Sequence, residues 1–463
     1  MRKDRVCQRT FAHWAALGCL GLLLPGVLPA DFVSLASAEK GWRNDGTGHF
    51  PAGDPPVKWS AEQNIAWKTK LPGASLASPI LVDGRLFVLA EPSDLICVAA
   101  SDGQIQWSRS HRYVDLLGEK EGKKIERDLE QAKLVREKID AVQREKQEAR
   151  KAENEPLEIE LEAQINALRK EYEALTAFPP LKGGDTGNTG CTPASDGKNV
   201  FAAFGTGVVS SHTLDGKQNW MVRLEPSGND MSASPIAADG KLIVQARQLT
   251  ALDAATGKVL WTAPQECRHG SPVLAHVNST AVVVTPTGSV LRLADGEVLA
   301  QGLFRLNHCS PLANGETIYA QVEGAVKAID LAAAIDEKTA DNAVLWEASA
   351  TRADYLASPL LYDGLLYCVN EQGLLEVSDA VSGDRVYRKR LPFAGGRVDP
   401  SLSLGGDRLY VSNNRGSTLV IAPGREYLEI AQNELDAEFK SSLAFDDAHV
   451  YIRTKDHLVC VGE

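Results

Sequence analysis

Ser78-Pro79-Ile80-Leu81-Val82-Asp83-Gly84 opens a pattern that returns along the chain: a hydroxyl residue beside proline, a short apolar run, then an Asp-Gly turn. Copies stand at Thr192-Pro193…Asp196-Gly197, Ser234-Pro235…Asp239-Gly240, Ser271-Pro272, Ser310-Pro311…Asn314-Gly315 and Ser358-Pro359…Asp363-Gly364. Weaker copies follow at Pro400-Ser401…Gly405-Gly406 and Ser441-Ser442…Asp446-Asp447, eight in all. From the second copy to the eighth, the steps run from 37 to 48 residues. A unit of that length is one supersecondary motif, not a domain, and it needs its neighbours to bury its apolar faces.

Within each unit the signals are β. Runs of Val, Ile, Leu and Tyr, four to six residues long, are separated by two-residue turns such as Asp83-Gly84 and Asp102-Gly103. Asp-Gly and Asn-Gly suit type I′ turns, whose two central residues both need positive φ. Three hairpins per unit build a four-stranded antiparallel sheet. Repeated radially, that sheet predicts an all-β, eight-bladed β-propeller over residues 39–463.

A second marker closes the third unit: Ala251-Leu252-Asp253-Ala254-Ala255-Thr256-Gly257-Lys258-Val259-Leu260-Trp261. Relatives are Ala99–Trp107 and Leu214–Trp220, with partial copies at Val344-Leu345-Trp346 and Asp379–Gly383. This Ala-x-Asp-x-x-Thr-Gly-x-x-x-Trp pattern resembles the pyrroloquinoline-quinone (PQQ)-like repeat of the quinoprotein alcohol dehydrogenase-like eight-bladed propellers. The resemblance covers residues 42–112 and 179–463. It implies that Trp67, Trp107, Trp220, Trp261 and Trp346 dock between neighbouring blades. The last unit runs out at His457–Val461, a third strand, and Asn64–Lys70 is the donor expected to complete that blade and leave no open edge. True quinoprotein dehydrogenases carry adjacent disulfide-bonded cysteines, a calcium-binding carboxylate set and an aspartate base. This chain has no Cys-Cys pair, and no acidic set matches by motif. The resemblance therefore implies the non-catalytic, outer-membrane-assembly branch with no cofactor; PQQ with calcium is the alternative.

One insertion breaks the period. The first two anchors lie 114 residues apart, and residues 119–173 hold 13 Lys/Arg and 16 Asp/Glu. Ile125, Ala132 and Ile139, then Val135, Val142 and Ala149, recur at heptad spacing, as do Leu161, Leu168 and Leu175 with Ile165 and Tyr172. Asn154-Glu155-Pro156 stands between the two stretches and should end the first helix. An antiparallel α-helical coiled-coil hairpin is expected over 115–178, either a solvated spacer or an arm that binds a partner or a second copy.

The N-terminus reads as an address. Arg2, Lys3, Arg5 and Arg9 precede an apolar stretch, Ala15–Leu28, and Ala36-Ser37-Ala38 offers a small-x-small cleavage signal. Residues 1–38 are the expected signal peptide, with cleavage near Ala30, a retained anchor or lipid on Cys19 as alternatives. The expected location is periplasmic or secreted, with no transmembrane span after cleavage. Net charge is -12 over 463 residues, which argues against a nucleic-acid partner. Beyond the signal, Cys97, Cys191, Cys267, Cys309, Cys368 and Cys460 permit disulfides but are too few for a disulfide framework.

The sharpest constellation lies before two adjacent anchors. His269 and His308 each stand three residues before a proline, with Cys267 and Cys309 beside them. These are zinc-type ligands without zinc-motif spacing. Packed side chains, a Cys267–Cys309 disulfide and a metal site are the three readings. No G-x-S-x-G elbow, H-E-x-x-H helix or Walker loop occurs. No catalytic residues are assigned. The expected function is an exported, non-enzymatic scaffold in envelope or outer-membrane assembly. It would hold an unidentified protein through the propeller face or the hairpin. The alternative is a quinoprotein-like oxidoreductase or small-ligand binder using the central funnel.

Overall fold

The computed structural model describes residues 40–51, 53–178, 187–226, 232–265, 269–353 and 355–463. The expected signal peptide lies outside them. The Asp-Gly turns take the conformation their residues favour: Asp83 and Gly84 have φ of 50° and 69°, Asp239 and Gly240 47° and 70°. Each turn joins a short first strand to a longer second one, as in Ile80–Val82 with Arg85–Ala90. The central strands are apolar almost without a break, and Leu86, Phe87, Val88, Leu89, Leu95 and Ile96 are all 0% exposed. Such runs suit strands covered on both faces. The outer strand Ile65–Lys70 instead alternates half-buried and exposed residues.

Every repeat yields one sheet, so eight sheets form. The first comprises Ile80–Val82, Arg85–Ala90, Asp94–Ala99 and Ile105–Ser110. The eighth consists of Ala444–Phe445, Val450–Arg453 and His457–Val461, with Ile65–Lys70 antiparallel on His457–Val461. Its core is shared with the first sheet, where Leu86, Val88 and Ile96 pack with Tyr451, Leu458 and Cys460.

The expectation of an eight-bladed propeller built from uniformly four-stranded antiparallel blades is corrected here. Among the described residues the strands form eight separate sheets, and no sheet closes into a barrel or propeller. Backbone pairing ends at the edge of each sheet, because neighbouring sheets meet through side chains rather than through a continuing ladder. The seventh sheet also has five strands, since His49–Phe50 adds parallel to Ser403–Gly405. That extra strand belongs to a strap, residues 40–59. Arg43 anchors the strap: it is 1% exposed and donates to the carbonyls of Leu402 and Pro359. Burial brings its guanidinium down to about 9.

Helix α1 (Tyr113–Leu117) leads into the hairpin of α2 (Glu119–Lys151) and α3 (Glu155–Leu175). At 33 residues, α2 is about 50 Å long. Asn154 caps α3 by accepting a bond from the Leu157 amide, with Pro156 in the first turn. The seam is Val135, Ile139, Val142, Ala149, Leu161 and Ile165. At the root, Tyr113 and Ile125 join a core with Phe87 of the first sheet and Phe204. A short helix not anticipated from sequence, α4 (Leu331–Glu337), separates strands Ala325–Asp330 and Val344–Ser349. Asp330 caps it through the Ala332 and Ala333 amides. This insertion accounts for the longest repeat step, 48 residues.

Candidate functional site

The repeated hydroxyl residues converge. The Ser78 amide donates to Oγ1 of Thr192, the Thr192 amide to Oγ of Ser234, and the relay continues through Ser271, Ser310, Ser358, Ser401 and Ser442. The Ser442 amide then returns to Oγ of Ser78. All eight bonds measure 2.8–3.1 Å. The circuit thus links every sheet to the next and ends where it began. A hydroxyl that accepts one amide still has a proton to donate. Among the described residues, none of these eight donates it to the protein.

All eight hydroxyl residues line one cavity of about 290 Å³. The residue two positions before each also lines it: Leu76, Gly190, Ser232, His269, His308, Leu356, Asp399 and Lys440. His269 and His308 are therefore two members of an eight-residue column. The spacing before each hydroxyl was a signal that could have found the others. Tyr355 and Arg397 complete the wall, and Trp42 reaches it from the strap. A neighbouring cavity of about 550 Å³ shares Leu76 and Lys440 with it.

The wall is ordered by stacking. His269 lies on His308 with centroids 4.9 Å apart and 13° between the planes, and His308 lies 4.8 Å from Tyr355. The Arg397 guanidinium lies over the Tyr355 ring at 5.1 Å. Its Nε and Nη2 bond to Oδ1 of Asp399 at 2.9 and 2.8 Å, and Asn414 donates to Oδ2 at 3.0 Å. Asp399 has a side chain only 3% exposed, so its acceptors are already committed.

Of the four candidate ligands, Cys267 lies outside the described residues. His269 and His308 come together face to face, a geometry that keeps the ring nitrogens in parallel planes rather than aimed at a shared ion. Cys309 is a buried free thiol whose Sγ donates to the Gln321 carbonyl at 3.4 Å. Burial pushes that thiol up to about 12. Among the described residues, no group of three or more His, Cys, Asp or Glu is arranged to hold a metal.

The tryptophans join sheet to sheet. Indole Nε1 of Trp67 donates to the Ala100 carbonyl, Trp107 to Leu214, Trp220 to Ala254, Trp261 to Leu293 and Trp346 to Ala380, all at 2.9–3.1 Å. Each ring lies flat on a turn glycine. A Cβ at Gly257 would sit 2.7 Å from the Trp220 ring, and one at Gly296 2.6 Å from Trp261. The Thr-Gly-x-x-x-Trp pattern thus encodes both halves of one contact: the Trp of one unit and the Gly of the next.

Comparison with known proteins agrees with this architecture. No curated protein matches the chain. Among solved structures, BamB from Moraxella catarrhalis superposes with a TM-score of 0.52 at 10% identity, covering 86% of this chain and 96% of that one. The computationally designed Ika8 protein superposes with a TM-score of 0.53 at 11% identity, covering 85% and 98%. At such identities the likeness is one of fold. The family described as "Outer membrane protein assembly factor BamB" matches at residues 55–144, 175–303 and 330–431, more than half of the chain. With its repeat and its inter-sheet tryptophans on the same stretches, the chain belongs to that BamB family.

Proposed function

We infer that the protein is a non-enzymatic, protein-interaction scaffold related to BamB, acting in assembly at the outer membrane or elsewhere in the envelope. The family match over three long stretches is the observation that carries this reading. Among the described residues, no helix is long and apolar enough to cross a membrane. The basic and apolar N-terminal stretch supports export, with the scaffold working in the periplasm. The partner is a protein of the assembly apparatus, held by the loops around the sheets or by the α2–α3 hairpin.

Depletion in the native host is the direct test. Outer-membrane proteins should fall in amount while soluble periplasmic proteins stay constant, and a copy lacking residues 119–173 should report whether the hairpin is needed. Unchanged outer-membrane protein levels after complete depletion would overturn the reading.

A further inference from the structure

We propose that the open edge of strand Arg385–Arg390 is a docking edge for an acidic, extended segment of a partner protein. This strand is the outer one of the sixth sheet, after Leu360–Tyr362, Leu365–Val369 and Leu374–Asp379. The proposal gives the scaffold a partner chemistry, beside any contact made by its loops or hairpin, and it rests on the scaffold reading.

The first observation is the edge. Arg385–Arg390 pairs antiparallel with Leu374–Asp379 on one side, and no described strand pairs with its other side. The backbone amides and carbonyls along such an edge are a template for one further strand. The second observation is charge. In a chain of net charge -12, four of the six residues of this strand are Lys or Arg, and none is Asp or Glu. Among the described residues their ion pairs are both with one carboxylate, Glu376, 3.5 Å from Arg385 and 3.8 Å from Arg388. Lys389 instead lies over the Tyr427 ring at 5.0 Å, and Arg390 donates to the Gln372 carbonyl at 2.7 Å. The other carboxylates around the strand are engaged. Asp379 accepts the Val381 and Ser382 amides, Asp384 the Ser382 hydroxyl, and Glu429 the Tyr427 hydroxyl.

Charge on an edge strand also keeps unwanted strands from adding to it. The other outer strands do not share this composition, however. Val259–Ala263 and Val298–Ala300 carry no charged residue, and Leu428–Glu434 carries two glutamates. Edge protection alone does not account for four cations on one strand. Their placement selects the occupant. Arg388 and Lys389 are consecutive in a strand and project to opposite faces, Arg388 beside Glu376 and Lys389 over Tyr427. The open edge is thus flanked by exposed cations on both faces. An added strand sends its own side chains alternately to the same two faces, where carboxylates meet those cations. A flat anionic surface would engage the cations and leave the edge amides unused.

The test is fluorescence anisotropy of the full chain with a labelled peptide of alternating Glu and Thr, about as long as the strand, at low ionic strength. The peptide should bind saturably, and the same peptide with Gln for Glu should bind about tenfold more weakly or not at all. A fully N-methylated version keeps the carboxylates but has no amide to donate, and it should lose a similar factor. The double variant Arg388→Gln/Lys389→Gln should weaken the acidic peptide about tenfold or more. Lys68→Gln/Lys70→Gln, the same charge change on the outer strand of the eighth sheet, should leave its affinity unchanged. Melting curves show whether the variants are folded, and the comparison of peptides on the wild-type chain stands whatever they show. No saturable binding up to about 1 mM would overturn the proposal. So would equal binding of the Gln or N-methylated peptide, or equal weakening by the two folded double variants. Binding to phosphatidylglycerol vesicles that needs Arg388 and Lys389, without binding of the peptide, would assign the strand to a membrane surface and overturn it too. Failed peptide binding with the depletion effect intact removes this edge and leaves the scaffold reading; peptide binding without a depletion effect removes the envelope role instead.

Discussion

Gly257 shows how one residue type is forced by a neighbour. Its φ is +72°, and a Cβ there would meet the Trp220 ring at 2.7 Å. Gly364 is the natural control, with φ of +71° and nothing within 4 Å of its Cβ position. Gly364→Ala should therefore cost only the left-handed backbone term, about 1–2 kcal/mol. Gly257→Ala adds displacement of a buried indole and its bond to the Ala254 carbonyl, raising the cost to about 3 kcal/mol. Urea midpoints for the two variants measure the difference. Equal midpoints would mean that the ring contact contributes nothing. The resemblance implied that the tryptophans dock between units; the glycine each ring lies on was found only in the folded chain.

At the scale of elements, the junction between the first sheet and the hairpin carries a titratable device that the sequence did not disclose. His111 links strand Ile105–Ser110 to α1, and His212 lies on strand Val208–Thr213 of the second sheet. Their rings meet edge to face at 5.1 Å, and His111 also stacks on Phe204 at 4.6 Å. Nδ1 of His111 faces the Ser93 carbonyl and Nε2 faces Oγ of Ser210, while neither ring nitrogen of His212 has a partner among the described residues. Burial pulls His111 down to about 4; burial first, then His111 and Arg109, pull His212 to about 3. Both rings are neutral in the folded state and free to take a proton when unfolded. Their contribution is thus intact above pH ~6.5 and is lost as pH falls toward the folded values. For His111 alone the loss reaches about 3 kcal/mol near pH 4. Melting temperature should drop through this window. His212→Phe should flatten the drop while leaving stability near neutrality unchanged or improved, since it removes two unpaired buried nitrogens. A variant with the wild-type pH profile would show that His212 stays uncharged for another reason. The two histidines are a hundred residues apart in sequence and on different repeats, so no local pattern could have paired them.

The whole molecule is joined at both ends of the chain. His457–Val461 is the only described strand that pairs with Ile65–Lys70, and Leu458, Cys460 and Val461 are 0% exposed. Deleting residues 457–463 should lower the melting temperature of the entire sheet assembly, not of one sheet, because the eighth sheet shares its core with the first. An unchanged melting curve for the truncated chain would show that the junction is dispensable. The hairpin should be less affected, since its seam residues pack on one another.

Sequence alone determined what depends on near neighbours: hairpins at each Asp-Gly, one sheet per repeat, and the heptad seam of the insertion. These are decided by φ preferences and by periods of two and three and a half, which any short window displays. Tertiary structure alone decided the eight separate sheets in place of a uniform four-stranded propeller, the parallel fifth strand from the strap, and the buried His111–His212 pair. It also decided that eight hydroxyls, Arg397 and Lys440 share one cavity wall. Those arrangements join groups separated by tens to hundreds of residues, and their energy exists only once the intervening chain has folded. The repeat announced how each unit folds; the packing of unit against unit determined what the units enclose.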